Sequence, residues 1–302
     1  MTSHSISARA WGLMALLAVL WGAVFLSVRI ALDESPPMTV VAHRVGWASV
    51  VLWAYVFARR MPLPRGARVW IGFAGMGLLN NVIPFSLMAW GQLYIPSGLT
   101  SIFNATTAIF GVLVASLLLA DERLTRRKAI GVVIGFAGVV IAIGADSLRE
   151  FDITSLAQLA VLAGTFSYAF AGVWARKMLG GLAPQVAAAG MLTASTLIMV
   201  PLAWYVEGPI RLDLTPRTLM ALAYASLGAT AMAYLLYYRV LTLAGSGNLM
   251  LVTLLIAPIA IVLGALVLGE TLPPHAYSGF VLLALGLVII DGRLIDRIRL
   301  PR

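Results

Sequence analysis

Cysteine is absent from this 302-residue chain, and charged residues are scarce. Without cysteine, the protein can form neither a disulfide framework nor a thiolate metal site. Only 11% of the residues are charged, whereas 61% are apolar. The chain therefore lacks the polar surface that a water-soluble globule of this size requires. The composition indicates an integral membrane protein.

Patterns that carry catalysis or bind metals are also missing. The three histidines, His4, His43 and His275, have no metal-ligand spacing. There is no Walker loop and no Gly-x-Ser-x-Gly nucleophile motif. Every carboxylate falls in a loop or near a span end, although buried carboxylates are the usual relays of pumps and cation antiporters. We therefore expect no enzyme, no metal and no cofactor, and a drug/proton exchanger is disfavoured.

The sequence instead contains repeated apolar runs of about 20 residues, the length that crosses a bilayer core. The first run lacks a cleavage site followed by a soluble domain, which favours a retained span over a signal peptide. Short links near Pro96 and at 245–247 allow an alternative count of eight spans. The ten predicted spans are 11–30, 38–58, 69–92, 97–119, 127–145, 155–175, 184–206, 216–238, 247–268 and 274–291.

Basic residues alternate between connections in a way that favours ten spans. With the N-terminus in the cytoplasm, the inner connections and both termini hold 16 of the 21 basic residues. The outer connections then hold only Arg149, Arg211 and Arg217, beside acids that include Asp146 and Glu150. The positive-inside rule thus predicts a cytoplasmic-membrane protein with both termini in the cytoplasm. The +9 charge needs no nucleic-acid partner. The inner basic residues are Arg9, Arg59, Arg60, Arg65, Arg68, Arg123, Arg126, Arg127, Lys128, Arg176, Lys177, Arg239, Arg293, Arg297, Arg299 and Arg302.

One motif closes each half of the chain with identical spacing. The two halves, 1–147 and 148–302, would each hold five spans, within 11–145 and 155–291. Because five is odd, the halves must face opposite ways across the membrane. The predicted fold is therefore an all-α membrane protein of ten helices in two inverted five-helix repeats. The two copies of the motif are Glu122-x-Leu124-x6-Gly131-x6-Gly138-x5-Gly144 and Glu270-x-Leu272-x6-Gly279-x6-Gly286-x5-Gly292.

The repeated glycines predict close helix packing. Gly131, Gly135 and Gly138 lie on one side of the fifth helix, and Gly279 and Gly286 lie on one side of the tenth. We expect helices four, five, nine and ten to form a packing edge or a dimer-facing edge, in a monomer or a homodimer. The cavity would then belong to the other helices.

Neutral polar groups and aromatic rings near mid-span are candidates for the lining of that cavity. Each polar group could instead only bond neighbouring helices, but several at one depth favour a cavity. Neutral groups with aromatic rings suit a zwitterion or an amphipathic solute better than a phosphate. The candidate substrate-binding residues are Trp21, Asn80, Asn81, Trp90, Asn104, Tyr168 and Tyr234.

Two arginines and two prolines inside the spans carry further predictions. Arg29 and Arg44 lie within about two turns of the outer surface. We expect them to reach that surface or to pair with the nearby acids Asp33 and Glu34. The alternative is that they bind an anionic group at the outer mouth. The predicted hinges, which each remove a backbone hydrogen bond, are Pro84 and Pro258.

The duplicated motif resembles the EamA domain of the drug/metabolite transporter superfamily. The resemblance covers nearly the whole chain and implies ten helices in an inverted repeat. It also implies export of small metabolites, notably amino acids as in YddG-type exporters. The chain departs from the family at Phe110, where the second copy keeps the usual proline as Pro258. The matching segments are Asp121-Glu122-Arg123-Leu124, Gly269-Glu270-Thr271-Leu272, Leu20-Trp21-Gly22, His43-Arg44 and Ser101-Ile102-Phe103-Asn104-Ala105-Thr106-Thr107.

These observations predict a transporter that exports amino acids or similar small metabolites by alternating access. Facilitated diffusion remains open, since no intramembrane carboxylate is available for ion coupling. The transporter alternative is efflux of drugs or toxic analogues. A membrane-embedded enzyme and a structural assembly partner are alternatives of another class. The expected partners are a small-molecule substrate and the lipid bilayer, without nucleic acid.

Overall fold

A computed structural model describes residues 8–63, 65–144 and 152–291, without the side chains of 8 and 244–251. Ten helices and no strands occupy these ranges. Some residues named in the sequence analysis lie outside these ranges. They are His4, Asp146, Arg149, Glu150, Gly292, Arg293, Arg297, Arg299 and Arg302. The helices are α1 Ala8–Ala31, α2 Pro37–Ala58, α3 Ala67–Gly91, α4 Ser97–Leu118, α5 Arg126–Ile143, α6 Ile153–Met178, α7 Pro184–Glu207, α8 Pro216–Leu243, α9 Val252–Leu268 and α10 Pro274–Asp291.

Eight of these helices are long and apolar enough to cross a bilayer by length and composition. The two others are α5, which begins with three basic residues, and α9, whose described part is short. Along the chain, each lies between two of the longer helices. Each also falls where the sequence predicts a span. Ten predicted spans therefore have ten helical counterparts.

The contacts of α1 show that α8 and α9 are separate spans, although helical backbone continues over Ala233–Leu268. The ring of Trp21 packs against Tyr237, with 5.7 Å between the ring centroids. The next residue, Gly22, is so close to α9 that an added Cβ would lie 2.6 Å from Ile259. A straight helix would separate Tyr237 from Ile259 by about 33 Å. The chain must therefore reverse direction between them, which agrees with ten spans rather than eight.

The helices begin where the sequence offers suitable first-turn residues. Pro37, Pro184 and Pro216 open α2, α7 and α8, because proline fits a helical first turn that needs no N–H partner. Thr125 and Asp152 precede α5 and α6, and each accepts a hydrogen bond from the backbone N–H three residues later. Such caps satisfy N–H groups that the helix itself leaves unpaired. Local chemistry thus accounts for these boundaries.

The two halves have the same layout of helices. The shift that carries Glu122 onto Glu270 also carries 126–143, the range of α5, onto 274–291, the range of α10. The same shift carries 37–58 onto 185–206, within α7. With five helices in each half, the halves are inverted relative to each other. The predicted duplication is present in the backbone.

Glycines hold α5 and α10 in direct contact. A Cβ added to Gly131 would lie 2.6 Å from the carbonyl oxygen of Gly286. A Cβ added to Gly138 would lie 2.6 Å from the carbonyl oxygen of Gly279 and 2.5 Å from the backbone nitrogen of Leu283. These positions tolerate no side chain because the neighbouring atoms belong to backbone. The predicted close packing of the two helices is confirmed.

Three spans depart from regular α-helix near mid-height. α3 contains a π-helical segment, Leu78–Val82, and α8 contains another, Tyr224–Met232. The repeat shift carries the first segment, 78–82, onto 226–230, inside the second. α4 is interrupted at 105–106. The sequence predicted a kink at Pro84, which lies just after the first π-helical segment, but neither the π-helical turns nor the interruption of α4. Such interruptions mark binding regions in many transporters.

Three glutamates at one end of the bundle bind the first residues of other helices. We call this end the acid-rich face, formed by the loops 32–36, 92–96, 208–215 and 269–273. Glu207 accepts bonds from the backbone N–H groups of Met38 (2.8 Å) and Thr39 (2.7 Å) at the start of α2. Carboxylates at helix N-termini complement the helix dipole. The end of α7 is thereby tied to the start of α2.

The other two glutamates make equivalent links. Glu270 accepts from the backbone N–H of Ser97 (3.0 Å) and from its hydroxyl (2.8 Å) at the start of α4. Glu34 accepts from the backbone N–H of Thr215 (2.9 Å) and from its hydroxyl, just before α8. The bonds from Thr215 lower the pKa of the Glu34 carboxyl below its usual value. Each link joins helices that are far apart in the sequence.

Candidate functional site

The π-helical segment of α3 presents two asparagines to α7 and α8. The side-chain nitrogen of Asn80 donates to the hydroxyl of Tyr234 (2.9 Å) and to the side-chain oxygen of Asn81 (3.3 Å). The side-chain nitrogen of Asn81 donates to the hydroxyl of Ser195 (2.9 Å) on α7. Asn81 is fully buried, whereas Asn80 and Tyr234 are half-buried. Asn81 is therefore the buried member of the group, and Asn80 and Tyr234 keep part of their surface exposed.

Pro84 explains why α3 is irregular at this point. Proline has no N–H to donate to the preceding turn, so carbonyl groups of that turn need other partners. The hydroxyl of Ser167 on α6 donates to the carbonyl oxygen of Leu79 (2.7 Å). A Cβ added to Gly164 would lie 3.2 Å from the Pro84 Cα, so α6 approaches closely here. The widened turn is thus held by a neighbouring helix, and the hinge role of Pro84 stays a prediction.

Arg44 of α2 reaches into the same region. Its Nε donates to the hydroxyl of Thr230 (3.0 Å) in the π-helical segment of α8. Thr230 in turn donates to the carbonyl oxygen of Ala225, five residues earlier (2.7 Å). The guanidinium carbon lies 3.7 Å from the ring centroid of Phe85, the geometry of a cation–π interaction. The guanidinium is held by one hydroxyl and one ring.

The surroundings of Arg44 are neutral. Its charge lies close enough to the hydroxyls of Tyr168 and Tyr234 to interact with them electrostatically. Among the described residues, no carboxylate forms an ion pair with Arg44. Tyr234 connects Arg44 to the Asn80 group, because it also accepts the bond from Asn80. We call Arg44, Asn80, Tyr168, Thr230 and Tyr234 the central cluster.

The expectation that Arg44 reaches the surface or pairs with an acid is wrong. The neighbouring acids have other partners: Asp33 pairs with Arg29 at 2.9 Å, as expected for Arg29, and Glu34 binds Thr215. The Arg44 side chain instead extends inward to Thr230. The sequence predicts how deep in the membrane the Cα atom of an arginine lies. It does not show in which direction the long side chain extends.

The structure brings some of the predicted lining residues together and leaves others apart. Asn80, Asn81 and Tyr234 share hydrogen bonds. Trp21, Tyr168 and Tyr234 border one apolar cluster, which contains Phe85, the ring that lies against Arg44.

Trp90 and Asn104 are not joined to the central cluster by a described contact. Trp90 packs on Tyr94, with 5.2 Å between the ring centroids, in a second apolar cluster that Tyr168 also borders. Asn104 is half-buried at the interruption of α4. Their part in substrate binding stays a prediction.

Sequence reasoning missed Thr230 and Ser195 as members of this region and misjudged Arg44. Thr230 lies four residues before Tyr234, one helical turn away, so helical spacing offered a signal. Ser195 had no such signal, because only tertiary packing brings α7 beside Asn81. The arginine is the group that changes the chemistry of the site, since it adds a positive charge to neutral donors and acceptors.

Family comparison agrees with this architecture. The sequence matches the EamA-like transporter family over residues 9–144 and again over residues 155–291. The chain belongs to that family. As an EamA-like transporter, it is a multi-pass membrane protein built from two repeats.

Several relatives are similar over most of their length. An uncharacterized transporter of Archaeoglobus fulgidus is 28% identical over 78% of this chain and 80% of its own. A probable amino-acid metabolite efflux pump of Salmonella typhimurium is 26% identical, covering 92% and 93%. A probable terminal-alkyne amino-acid exporter of Streptantibioticus cattleyicolor is 26% identical, covering 97% of both chains. One crystal structure shares the fold, with a TM-score of 0.68 at 18% identity over 97% of this chain and 99% of that one.

Proposed function

We propose that this EamA-like transporter exports amino acids or similar small metabolites across the cytoplasmic membrane by alternating access. The central cluster carries the proposal, because it joins helices of both repeats near mid-height. Arg44 and Asn80 come from the first repeat, and Thr230 and Tyr234 come from the second. A site between inverted repeats can be exposed to either side when one repeat moves against the other.

The chemistry of the cluster suits a small solute with one anionic group. Asn80 and Tyr234 offer neutral hydrogen-bonding groups, and Arg44 offers one cation. A phosphorylated sugar or a nucleotide sugar would call for several deep basic residues, whereas the central cluster contains only Arg44. Two of the similar proteins named above carry names that refer to amino-acid efflux, which supports the same substrate class.

The proposed orientation places both termini in the cytoplasm and the acid-rich face outside. In support, the described basic residues of the connections lie mostly at the opposite end of the bundle, among them Arg59, Arg60, Arg65 and Arg176. We further propose that the repeats divide the chain into 1–147 and 148–302, and that the protein catalyses no reaction.

Flux measurements in proteoliposomes test the proposal. Purified protein would be reconstituted, and exchange of labelled phenylalanine, leucine and alanine would be followed with and without a pH gradient. We expect protein-dependent flux of at least one amino acid above that of protein-free vesicles. Flux that needs no gradient would identify facilitated diffusion, and flux only with a gradient would identify proton coupling. Absence of flux for all amino acids tested in both conditions would overturn amino-acid transport.

A further inference from the structure

We propose that Arg44 binds the carboxylate of the substrate and that the protein selects its substrates by this group. The inference rests on the proposed function, since it places the transported solute at the central cluster. It goes further by naming the recognised group. A carboxylate would be required, and an α-amino group would not.

Arg44 has no counter-charge among the residues that the structure describes. A cation inside the membrane is costly, and such residues are usually paired or face an aqueous cavity. Arg29, at the acid-rich end of α1, follows this rule by pairing with Asp33 at 2.9 Å. Among the described residues, Arg44 donates to the neutral hydroxyl of Thr230 and lies against the ring of Phe85, and it forms no ion pair. A bound anion would supply the charge that its surroundings lack.

Two contacts hold the guanidinium of Arg44. The hydroxyl of Thr230 accepts a hydrogen bond from the Nε of Arg44, and the ring of Phe85 lies against the guanidinium. These two contacts fix the plane of the group. The two terminal nitrogens have no hydrogen-bond partner among the described residues. Two parallel N–H groups in a fixed plane match the two oxygens of a carboxylate.

The ammonium group of an amino acid would find only neutral partners in the central cluster. An ammonium group bound by charge would need a carboxylate nearby, and none lies in the central cluster. The side-chain oxygen of Asn80 and the hydroxyl of Tyr234 are neutral groups that could accept hydrogen bonds from the ammonium group. Neutral hydrogen bonds are about half as strong as charge-assisted ones. Recognition of the amino group should therefore be weaker than recognition of the carboxylate.

A competition series in the wild-type protein tests the inference without any mutation. Vesicles loaded with unlabelled phenylalanine would take up labelled phenylalanine in counterflow. Three competitors keep the same aromatic body: 3-phenylpropionate lacks the amino group, phenethylamine lacks the carboxylate, and phenylalaninamide has a neutral amide in its place. We expect 3-phenylpropionate to compete within about tenfold of phenylalanine and the other two to be at least about tenfold weaker. Equal competition by phenylalaninamide would overturn the inference while leaving amino-acid transport intact.

Binding measured by thermal unfolding of the detergent-purified protein separates the two proposals. Stabilisation by 3-phenylpropionate and not by phenethylamine, in a protein that transports no amino acid, would support the carboxylate site and reject amino-acid export. Stabilisation by phenethylamine alone would overturn the carboxylate site.

Variants at Arg44 add an independent test. Arg44→Gln should abolish the preference for 3-phenylpropionate over phenethylamine, and Arg44→Lys should weaken it, because lysine keeps the charge without the planar fork. Arg29→Gln is the matched control, since it removes an arginine whose partner is Asp33. Unchanged preference in an Arg44→Gln variant that elutes as a single folded species would contradict the inference.

Discussion

At the scale of single residues, the hydroxyl of Tyr234 links the two asparagines of α3. It accepts from Asn80 at 2.9 Å and donates to the side-chain oxygen of Asn81 at 3.4 Å. Tyr234→Phe would remove both bonds and keep the ring. A hydrogen bond contributes about 1 kcal/mol, so we expect the apparent KM to rise about fivefold. Counterflow kinetics measure this change.

Tyr205→Phe is the control for that substitution. Tyr205 is 88% exposed at the end of α7, so loss of its hydroxyl should leave transport unchanged. A Tyr234→Phe variant with the KM of the wild type would remove this hydroxyl from the substrate site. The same KM with a lower unfolding temperature would leave Tyr234 a purely structural part of the bundle.

The residues of the site differ in how far the sequence reveals them. Asn80 and Tyr234 were predicted because a polar group near mid-span usually either bonds a neighbouring helix or lines a cavity. Ser195 was missed because its contact depends on the rotation of α7 about its own axis. Arg44 was misjudged because a Cα position near a span end says little about a flexible side chain that reaches inward.

At the scale of helices, Gly138 tests the contact between α5 and α10. Gly138→Ala would place a methyl group 2.5 Å from the backbone nitrogen of Leu283. Backbone cannot give way as a side chain can, so the helices must separate. Overpacking of this kind costs about 1–3 kcal/mol, and we expect a lower unfolding temperature in detergent.

Gly111→Ala is the matched control within the same repeat. An added Cβ at Gly111 meets nothing within 4 Å, and alanine is favoured over glycine in a helix by about 1 kcal/mol. The unfolding temperature of Gly111→Ala should stay the same or rise. Equal unfolding temperatures of the two variants would show that the α5–α10 contact tolerates a methyl group.

The π-helical turn of α3 yields a second prediction at this scale. Pro84→Ala restores a backbone N–H and thereby favours a regular helix through Leu78–Val82. Closing the widened turn would rotate Asn80 away from Tyr234. We expect several-fold slower counterflow with little loss of folded protein. If the Asn80–Tyr234 bond is already lost in Pro84→Ala, adding Tyr234→Phe should raise the KM less than it does in the wild type.

Pro201→Ala provides the comparison, since Pro201 also lies inside a helix but in α7. It adjoins neither π-helical segment, so its replacement should change the transport rate less than Pro84→Ala does. Equal rates for Pro84→Ala and the wild type would show that the widened turn is held by Ser167 and other neighbours, without help from the proline.

Helix positions could be predicted from the sequence, whereas the irregular turns inside helices could not. Apolar length places a span, and prolines or caps such as Thr125 and Asp152 place its start. A π-helical turn depends on which neighbour satisfies the released carbonyl. For α3 that neighbour is Ser167 of α6, whose position follows only from the assembled bundle.

At the scale of the whole molecule, the repeats share their scaffold and differ in their site. The repeat shift carries Gly131 and Gly138 of α5 onto Gly279 and Gly286 of α10. The same shift carries Arg44 onto Leu192 and Asn80 onto Gly228. The duplicated positions thus pack helices, and the positions that differ between the copies hold the polar groups. Under the proposed function, the shared scaffold would allow the two repeats to move against each other, and the positions that differ would recognise the substrate.

The two faces of the molecule also differ in the partners of their glutamates. On the acid-rich face, Glu34, Glu207 and Glu270 each bind the start of another helix. The repeat shift places Leu182 and Arg59 at the counterparts of the first two, and only Glu270 has an acidic counterpart, Glu122. Glu122 bonds to Lys128 at 3.4 Å. Among the described residues, the three glutamates of the acid-rich face thus bind helix starts, whereas Asp121 and Glu122 at the opposite face pair with the basic side chains of Arg176 and Lys128.

Glu270→Gln tests whether these links keep the acid-rich face closed. The change keeps the size of the side chain and removes the charge that binds the start of α4 at Ser97. Charge-assisted bonds contribute about 1.5–3 kcal/mol, so opening of this face should become about tenfold more frequent. Thr100 is fully buried one turn below Ser97, and the chain has no native cysteine. Thr100→Cys therefore reports opening through its labelling by an impermeant maleimide added outside.

Glu122→Gln in the Thr100→Cys background is the matched control, because it changes the equivalent glutamate at the opposite face. Labelling should rise about tenfold with Glu270→Gln and should not rise with Glu122→Gln. Equal labelling in both variants would mean that Glu270 only stabilises α4 and does not hold the face closed. Labelling from the cytoplasmic side alone would place the acid-rich face inside and reverse the proposed orientation. A rise confined to Glu270→Gln and to external reagent would tie closure of the outer face to a single carboxylate of the repeated motif.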